Sequence, residues 1–168
     1  KETSQAAATL KTQNVLKMWS RLAPRSKVSP STVWNINADV EPQLFQFVFE
    51  VKHVAGSENV GGFAAPIYMP PGTNGNQFGL LMGKPVIPTE YNETLGTKGD
   101  ITLSDWSQYL LIERGIRADS SMHVRFLNDE QAFRIIYRVN GQPIWSKALT
   151  PFKGSATQSA FGTLDTRA

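Results

Sequence analysis

The sequence contains no cysteine, which excludes disulfide bonds and thiolate metal sites. It has only two histidines among 168 residues, so a histidine-based metal centre would lack its third and fourth ligands. No apolar run approaches the roughly 18 residues that a membrane-spanning helix needs. The first residues, KETSQ, are not followed by an apolar stretch of signal-peptide length. These absences argue against disulfide-bonded, metal-dependent and membrane-embedded proteins.

Charged residues are scarce as well, at 18% of the chain. The 17 basic and 14 acidic residues give a net charge of +3, which is a weak bias for a dedicated nucleic-acid-binding protein. The chain does have length and apolar content. With 168 residues and 40% hydrophobic side chains, it is long enough to build one packed domain, or one domain with an appendage.

Two segments have the apolar spacing of helices. Thr12 is the predicted N-cap of a helix that runs to Leu22, with Val15 and Met18 on its apolar side. Asp39 is the predicted N-cap of a second helix to residue 51, and a strand over 44–54 is the alternative. Between them, a polar loop is expected over 25–31, and glycine-rich loops are expected over 55–62 and 70–76.

The other segments predict strands and an α+β fold, with a mixed sheet, two main helices and a β-hairpin extension. Asn140-Gly141 predicts the hairpin, because a type I′ turn needs positive φ at both central residues. Pro143 would begin its return strand. The expected strands are residues 32–36, 63–69, 80–87, 101–103 at an edge, 106–112, 123–126, 133–139 and 143–149.

No residue pattern points to catalysis, a cofactor or a metal. Glu50 and His53 are three apart on the predicted helix, but they have no further ligands. Ser104-Asp105 offers a hydroxyl and a carboxylate without the Gly-x-Ser-x-Gly elbow of a nucleophilic serine. The glycine-rich segments 72–75 and 96–99 lack the helix that follows a phosphate-binding loop. We therefore assign no catalytic, cofactor-binding or metal residue.

Five stretches, in one order, resemble the major capsid proteins of tailed double-stranded DNA bacteriophages, the family with the Hong Kong 97-like shell fold. The most informative reads GLLMGKPVIPTE over 79–90, is followed by Gly99-Asp100, and is similar to the family pattern LLGxPVxxTE…GD. The other four are KETSQ at the start followed by 14–22, VWNIN over 33–37, residues 106–114, and residues 126–143.

The resemblance implies an α+β fold with a mixed central sheet flanked by helices. It implies an axial domain over residues 12–122, with pieces of a peripheral domain over 1–11 and 123–168. The arm, extended loop and spine helix of the family have no counterpart in the sequence. The chain therefore resembles a C-terminal fragment.

The resemblance also implies function: a non-enzymatic capsid subunit, made in the bacterial host cytoplasm, that self-assembles through pentamers and hexamers into an icosahedral head around double-stranded DNA. Copies of itself are the expected partners, with scaffolding, portal or decoration proteins and non-specific contact with packaged DNA, and without cofactor or membrane. The alternatives are an encapsulin-type nanocompartment shell protein and, from another class, a small hydrolase.

Two groups of residues are candidates for contacts in such a shell. The candidate contacts around the symmetry axes lie in the flexible loops: Ser57, Glu58, Asn59, Gly61, Asn74 and Asn76. The candidate basic patch facing DNA, for which a solvated helix and loop surface is the alternative, comprises Lys17, Arg21, Arg25 and Lys27. The four tryptophans are expected as core anchors or as interface hot spots: Trp19, Trp34, Trp106 and Trp145.

Overall fold

The computed structural model describes residue 2, residues 5–47 and residues 66–167. The chain divides into two compact units. The sheet unit comprises the described parts of Lys1–Ser107 and Lys147–Ala168, and the ribbon comprises Gln108–Ser146. The expected division into axial and peripheral domains stays a prediction about the assembled protein.

Three helices and six strands build the sheet unit, and two long strands build the ribbon. The helices are α1 (Thr12–Arg21), α2 (Pro24–Val28) and α3 (Glu41–Leu44). The strands of the sheet unit are β1 (Thr32–Asn37), β2 (Tyr68–Met69), β3 (Gly79–Leu81), β4 (Lys84–Thr89), β5 (Ile101–Asp105) and β8 (Phe161–Thr163). The ribbon strands are β6 (Tyr109–Ser121) and β7 (Ala132–Pro143).

Helix α1 confirms the first predicted helix, with Lys11 rather than Thr12 as its N-cap. The Lys11 backbone N–H donates to the side-chain Oδ1 of Asn14 over 2.9 Å, and this hydrogen bond caps the first turn of the helix. Val15 and Met18 are buried on the sheet side. The expected loop over 25–31 is partly wrong, because Pro24 fits the first turn of a helix and begins α2.

The second predicted helix is shorter than expected over its described part. A 3₁₀ turn at Ala38–Val40 leads into α3, where Pro42 again occupies the first helical turn. The alternative of a strand from residue 44 is wrong at its start, because Leu44 is helical. Residues 48–54, as well as residues 63–65 of the next predicted strand, lie outside the described residues.

The six-stranded sheet is mixed, in the order β2-β3-β4-β1-β5-β8. Strand β1 lies parallel to β4 and antiparallel to β5. The single strand predicted over 80–87 is wrong, because Met82 and Gly83 have φ of 52° and 77° and make the two-residue turn of the β3–β4 hairpin. Strand β5 is not at an edge, because β8 pairs with its outer side.

The core lies on one face of this sheet. Alternate residues of β1 point into it, and Trp34 and Ile36 are fully buried against Val15 of α1 and Leu103 of β5 in one hydrophobic cluster. The Trp34 indole N–H donates to the Leu81 carbonyl over 3.1 Å. Trp34 is therefore the anchor of the packed layer between α1 and the sheet.

A buried ion pair fastens Arg167, near the end of the described residues, to Asp100, directly before β5. The Arg167 guanidinium binds the Asp100 carboxylate, and both side chains are fully buried. Arg167 Nε also donates to the Thr9 carbonyl over 2.7 Å, and Asp100 accepts the Gly96 backbone N–H over 3.0 Å. Because both charges are compensated and hydrogen-bonded, the pair can remain charged away from water.

The ribbon is a two-stranded antiparallel sheet that pairs from Tyr109 opposite Pro143 to Ser121 opposite Ala132. A bulge interrupts the register between Glu113 and Ile116, where Gly115 has φ of 49°. The connection over 122–131 contains a 3₁₀ turn, so the strand predicted over 123–126 is wrong. The strand predicted over 106–112 instead begins at Tyr109, after another 3₁₀ turn.

The predicted hairpin at Asn140-Gly141 is wrong. Both residues lie inside β7, with Gly141 opposite Leu111, and Pro143 ends that strand. Pairing with the long β6 strand outweighs the local turn preference. Glycine suits this position for another reason: a Cβ here would overlap the Tyr109 ring and force that side chain to move.

Candidate assembly surfaces

One face of the ribbon is apolar and exposed. The register places Ile116 opposite Tyr137 and, two residues along each strand, Ala118 opposite Ile135. Because side chains alternate between the two faces of a strand, these pairs share one face. We call it the apolar face, and its large apolar side chains, all about half exposed or more, are Leu111, Ile116, Phe133, Ile135, Tyr137 and Val139.

The opposite face carries charge, beside the apolar side chains Leu110, Ile112 and Ile136 that the register also places there. Asp119 lies opposite Arg134 in the register and is bound by it over 3.0 Å, while Arg117 of the same strand lies 3.4 Å from the same carboxylate. Arg138 follows four residues after Arg134 and points to the same side. We call Arg117, Arg134 and Arg138, with Asp119 among them, the arginine face.

The ribbon has little stability of its own. No residue of Gln108–Ser146 is buried, and an isolated two-stranded sheet is at best marginally stable in water. Phe133 and Ile135 are exposed to about three quarters of their surface, at 75% and 73%. A continuous apolar surface of this kind marks a site of interaction.

The apolar face includes one carboxylate, and it has a partner. Glu113 accepts a hydrogen bond from the Tyr137 hydroxyl, which raises the pKa of that phenol. Glu113 therefore interrupts the apolar face with a hydrogen-bonded carboxylate.

The predicted axial contacts are described only in part. Ser57, Glu58, Asn59 and Gly61 lie outside the described residues. Asn74 lies in a 3₁₀ turn between β2 and β3, and Asn76, which follows it, is exposed. The Gly72 N–H donates to the Asn76 carbonyl over 2.8 Å, and this bond closes the loop at the β2–β3 end of the sheet.

The predicted basic patch is divided between α1 and α2. Lys17 pairs with Glu2 over 2.7 Å, and this bond lowers the pKa of the Glu2 carboxyl. Lys27 Nζ lies 6.0 Å from the centre of the Trp19 ring. Arg21 and Arg25 are exposed. Both lysines of the patch therefore already have partners within the sheet unit.

The carboxylate of Asp105 is structural. Burial would raise its pKa, but hydrogen bonds from Ser26, Ser107 and Ser29 hold that pKa below its usual value. The Ser29 hydroxyl donates to Asp105 Oδ1 over 3.0 Å and fastens the end of α2 to β5. The carboxylate thus accepts hydrogen bonds from neighbouring serines, and Ser104 is not among these donors.

An open groove of about 470 Å³ lies over the sheet unit. Asn35 and Thr102 are among its lining residues, and Tyr91, Trp106 and Phe161 are its aromatic ones. No carboxylate, histidine or cationic side chain is among the groove's lining residues. The Tyr91 phenol is the ionisable side chain among the groove's lining residues, which also include the Ser104 hydroxyl.

A second tyrosine pairs with a carboxylate inside the sheet unit. Burial, with the Glu41 carboxylate nearby, raises the pKa of Tyr68 to about 12. The hydroxyl donates to Glu41 over 3.2 Å, and the ring packs edge-on against Phe45 at 5.2 Å. Burial and the Glu41 carboxylate thus favour the neutral hydrogen-bonded phenol, and Tyr68 packs in the hydrophobic core.

The tryptophans divide between core and surface. Trp34 is the core anchor described above, whereas Trp106 and Trp145 are half exposed, at 50% and 57%. Trp106 packs edge-on against Phe161 at 6.3 Å. The exposed pair fits the expectation of interface hot spots, which stays a prediction.

A comparison with protein families identifies the family of this chain. Residues 2–154 match the model of the phage capsid family. The chain belongs to the phage capsid family. The resemblance read from its five sequence stretches is thereby confirmed.

The solved structure of the capsid of an empty GTA particle, computed with C5 symmetry, has the same fold. The TM-score is 0.50 at 16% sequence identity, over 81% of this chain and 43% of that chain. The chain thus spans less than half the length of the capsid chain it matches. No curated protein matches. The predicted α+β class with a mixed sheet is confirmed.

Sequence reasoning missed the apolar face of the ribbon. Its signal is present in β7, where Phe133, Ile135, Tyr137 and Val139 recur at alternate positions, with arginine at two of the three positions between them. Within the described part of the chain, no helix is long and apolar enough to cross a membrane, and no group of acidic residues and histidine could hold a metal.

Proposed function

We propose that this chain is part of a major capsid subunit of a virion, and that the apolar face of its ribbon is buried when copies assemble. The exposed apolar face, in a ribbon without buried residues, carries the proposal. Membership of the phage capsid family and the fold of a capsid chain support it. The assembly is an icosahedral head built through pentamers and hexamers, made in the bacterial host cytoplasm and enclosing double-stranded DNA.

The energetics favour assembly through this face. Burying one large apolar side chain contributes about 1.5–3 kcal/mol, and six such side chains lie on the face. Ordering and lost translation offset a large share of this gain in any single contact. Closed symmetry then repeats the contact around each axis, so that modest interfaces become cooperative.

The loops around Asn74 and Asn76 are proposed as a second contact, around the symmetry axes. Asn76 is exposed beside β2 and β3 at one edge of the sheet, which leaves it accessible to copies. Scaffolding, portal and decoration proteins would bind to the assembled surface. In this account the groove has no catalytic role, because it lacks ionisable groups other than the Tyr91 hydroxyl.

Opposite-face variants test the proposal. Ile135→Glu places a charge on the apolar face, whereas Asn140→Glu places the same charge on the other face of the same strand. Sedimentation velocity and electron microscopy would compare the assemblies of the parent chain and both variants. We expect the parent and Asn140→Glu to form rings or shells and Ile135→Glu to stay dispersed. Assembly of Ile135→Glu at the parental concentration would contradict the proposal.

A further inference from the structure

The arginine face concentrates positive charge that the ribbon does not neutralise. It carries three arginines, and Asp119 is the one acidic residue that the register of Gln108–Ser146 places on this side. Arg117 and Arg134 share that carboxylate. No ion pair forms at Arg138 among the described residues. Like charges on neighbouring strands repel each other, so this face gains from an anionic partner.

The spacing of these charges suits an extended polyanion. Arg134 and Arg138 are four residues apart on β7, and Arg117 lies opposite Ile136, midway between them. At about 3.4 Å per residue, the ribbon presents one arginine about every 7 Å along its length. Each strand of a DNA duplex carries one phosphate per 3.4 Å of helix axis, so an arginine is available for about every second phosphate.

The arginine side chains are also accessible and chemically suited to phosphate. The side chains of Arg117 and Arg134 are 76% and 67% exposed. A guanidinium presents several N–H donors in a fixed fork that matches two phosphate oxygens. Exposed ion pairs such as Arg134–Asp119 contribute little free energy in water, so a phosphate can replace the carboxylate at small cost.

The basic patch on α1 and α2 is a weaker candidate for DNA, since Lys17 is paired with Glu2 and Lys27 lies at the Trp19 ring. The arginine face is therefore the better site for a phosphate backbone.

We infer that the arginine face binds the phosphate backbone of packaged double-stranded DNA without sequence preference, while the apolar face is buried between copies. The choice of DNA as the partner rests on the proposed function. The two faces of one ribbon would then perform two tasks, assembly and contact with the contents of the shell.

The test is the salt dependence of DNA binding by the full chain. Fluorescence anisotropy with a random-sequence duplex, from 50 to 200 mM salt, would compare the parent with a ribbon variant carrying R117Q, R134Q and R138Q. Three phosphate contacts correspond to about a 40-fold loss of affinity over that range, from a slope of about −0.9 per contact. We expect the variant to lose the part of the salt dependence that the three contacts supply, and to bind DNA at least tenfold more weakly at 50 mM salt.

Two controls sharpen this experiment. A variant with R117K, R134K and R138K keeps the charges and should retain the parental slope within about one unit. A patch variant with K17Q, R21Q, R25Q and K27Q should bind DNA within about threefold of the parent. The single substitution R138Q, at an exposed position, should lower the slope by about one even if the triple variant folds poorly.

Several results would overturn the inference. They are a parent that does not bind the duplex at 50 mM salt, a ribbon variant that binds like the parent, and a patch variant that loses the larger share of binding. Assembly measured without DNA tests the proposed function independently of DNA binding. Shells that form without any loss of DNA affinity in the ribbon variant would refute the inference and leave the proposed function intact.

Discussion

The sheet unit and the ribbon use the same kinds of residues with opposite results. In the sheet unit, β1 alternates between a fully buried side, with Trp34 and Ile36, and a half-exposed side. In the ribbon, apolar residues of β7 also recur at alternate positions, apart from Ile136, yet Phe133 and Ile135 remain about three quarters exposed. The alternation therefore specifies which side chains share a face, and only a covering layer decides whether that face is a core.

This difference teaches where each region obtains its stability. Helix α1 covers one face of the six-stranded sheet, so that the unit carries its own core. The ribbon has two strands and no buried residue within Gln108–Ser146. We therefore expect substitutions in the sheet unit to change the free energy of unfolding, and substitutions on the ribbon to change association.

The largest expected effect comes from the buried ion pair. Asp100→Ala leaves the Arg167 charge buried without its partner, and we expect a loss of about 3–5 kcal/mol in the free energy of unfolding. Asp119→Ala is the control on the ribbon, where the arginine partners are exposed and the loss should stay below about 1 kcal/mol. Urea denaturation followed by tryptophan fluorescence measures both. Equal losses of unfolding free energy in the two variants would contradict the difference in stability between the sheet unit and the ribbon.

Truncation of apolar side chains gives the next largest effect. Leu103→Ala opens a cavity beside Trp34 and should cost about 2–5 kcal/mol. Ile135→Ala, on the exposed apolar face, should change the unfolding free energy of the dispersed chain by less than about 0.5 kcal/mol. The same variant should weaken assembly, measured by sedimentation. An Ile135→Ala loss as large as that of Leu103→Ala would show that the ribbon is already covered.

Two glycines of the ribbon separate crowding from backbone strain. Gly141→Ala drives a Cβ into the Tyr109 ring and should cost about 1–3 kcal/mol of ribbon stability. Gly115→Ala meets no neighbouring atom but has φ of 49°, so the expected cost is about 1 kcal/mol. Amide hydrogen exchange of the ribbon in assemblies measures both. A larger effect at Gly115 than at Gly141 would contradict the packing of Tyr109.

The smallest expected effect is the pH dependence of the sheet unit near Asp105. Its pKa in the folded chain is below the ordinary 3.8, so the unfolded chain binds a proton more readily. The resulting stability is present above the ordinary pKa and is lost as pH falls through the lowered folded value. Asp105→Asn should lack that part of the acid loss in denaturation between pH 5 and pH 2. An unchanged profile would contradict the serine contacts.

Local sequence patterns predicted the elements whose own apolar spacing determines their structure. Helix α1 and strand β1 follow directly from apolar spacing. The errors arose where a distant strand decides the outcome, since Asn140-Gly141 is held in β7 by β6. The turn at Met82-Gly83 was missed because the apolar residues on both sides concealed it.

The candidate site could be predicted only in part. The family emerged from five short stretches, and the alternation from Phe133 to Val139 is visible in the sequence. The bulge at Gly115 shifts the register, so the apolar face becomes apparent only once Ile116 is seen opposite Tyr137. Whether that face is exposed depends on what packs against it, and no local pattern contains that information.

The central claim is that the ribbon depends on neighbouring copies for its stability, whereas the sheet unit does not. Hydrogen exchange of the backbone amides of β6 and β7, compared between dispersed and assembled chain, tests it most directly. We expect weak protection of the ribbon in the dispersed chain, strong protection after assembly, and little change in β1 and β5. Ribbon amides that are as protected in the dispersed chain as in the assembly would contradict it.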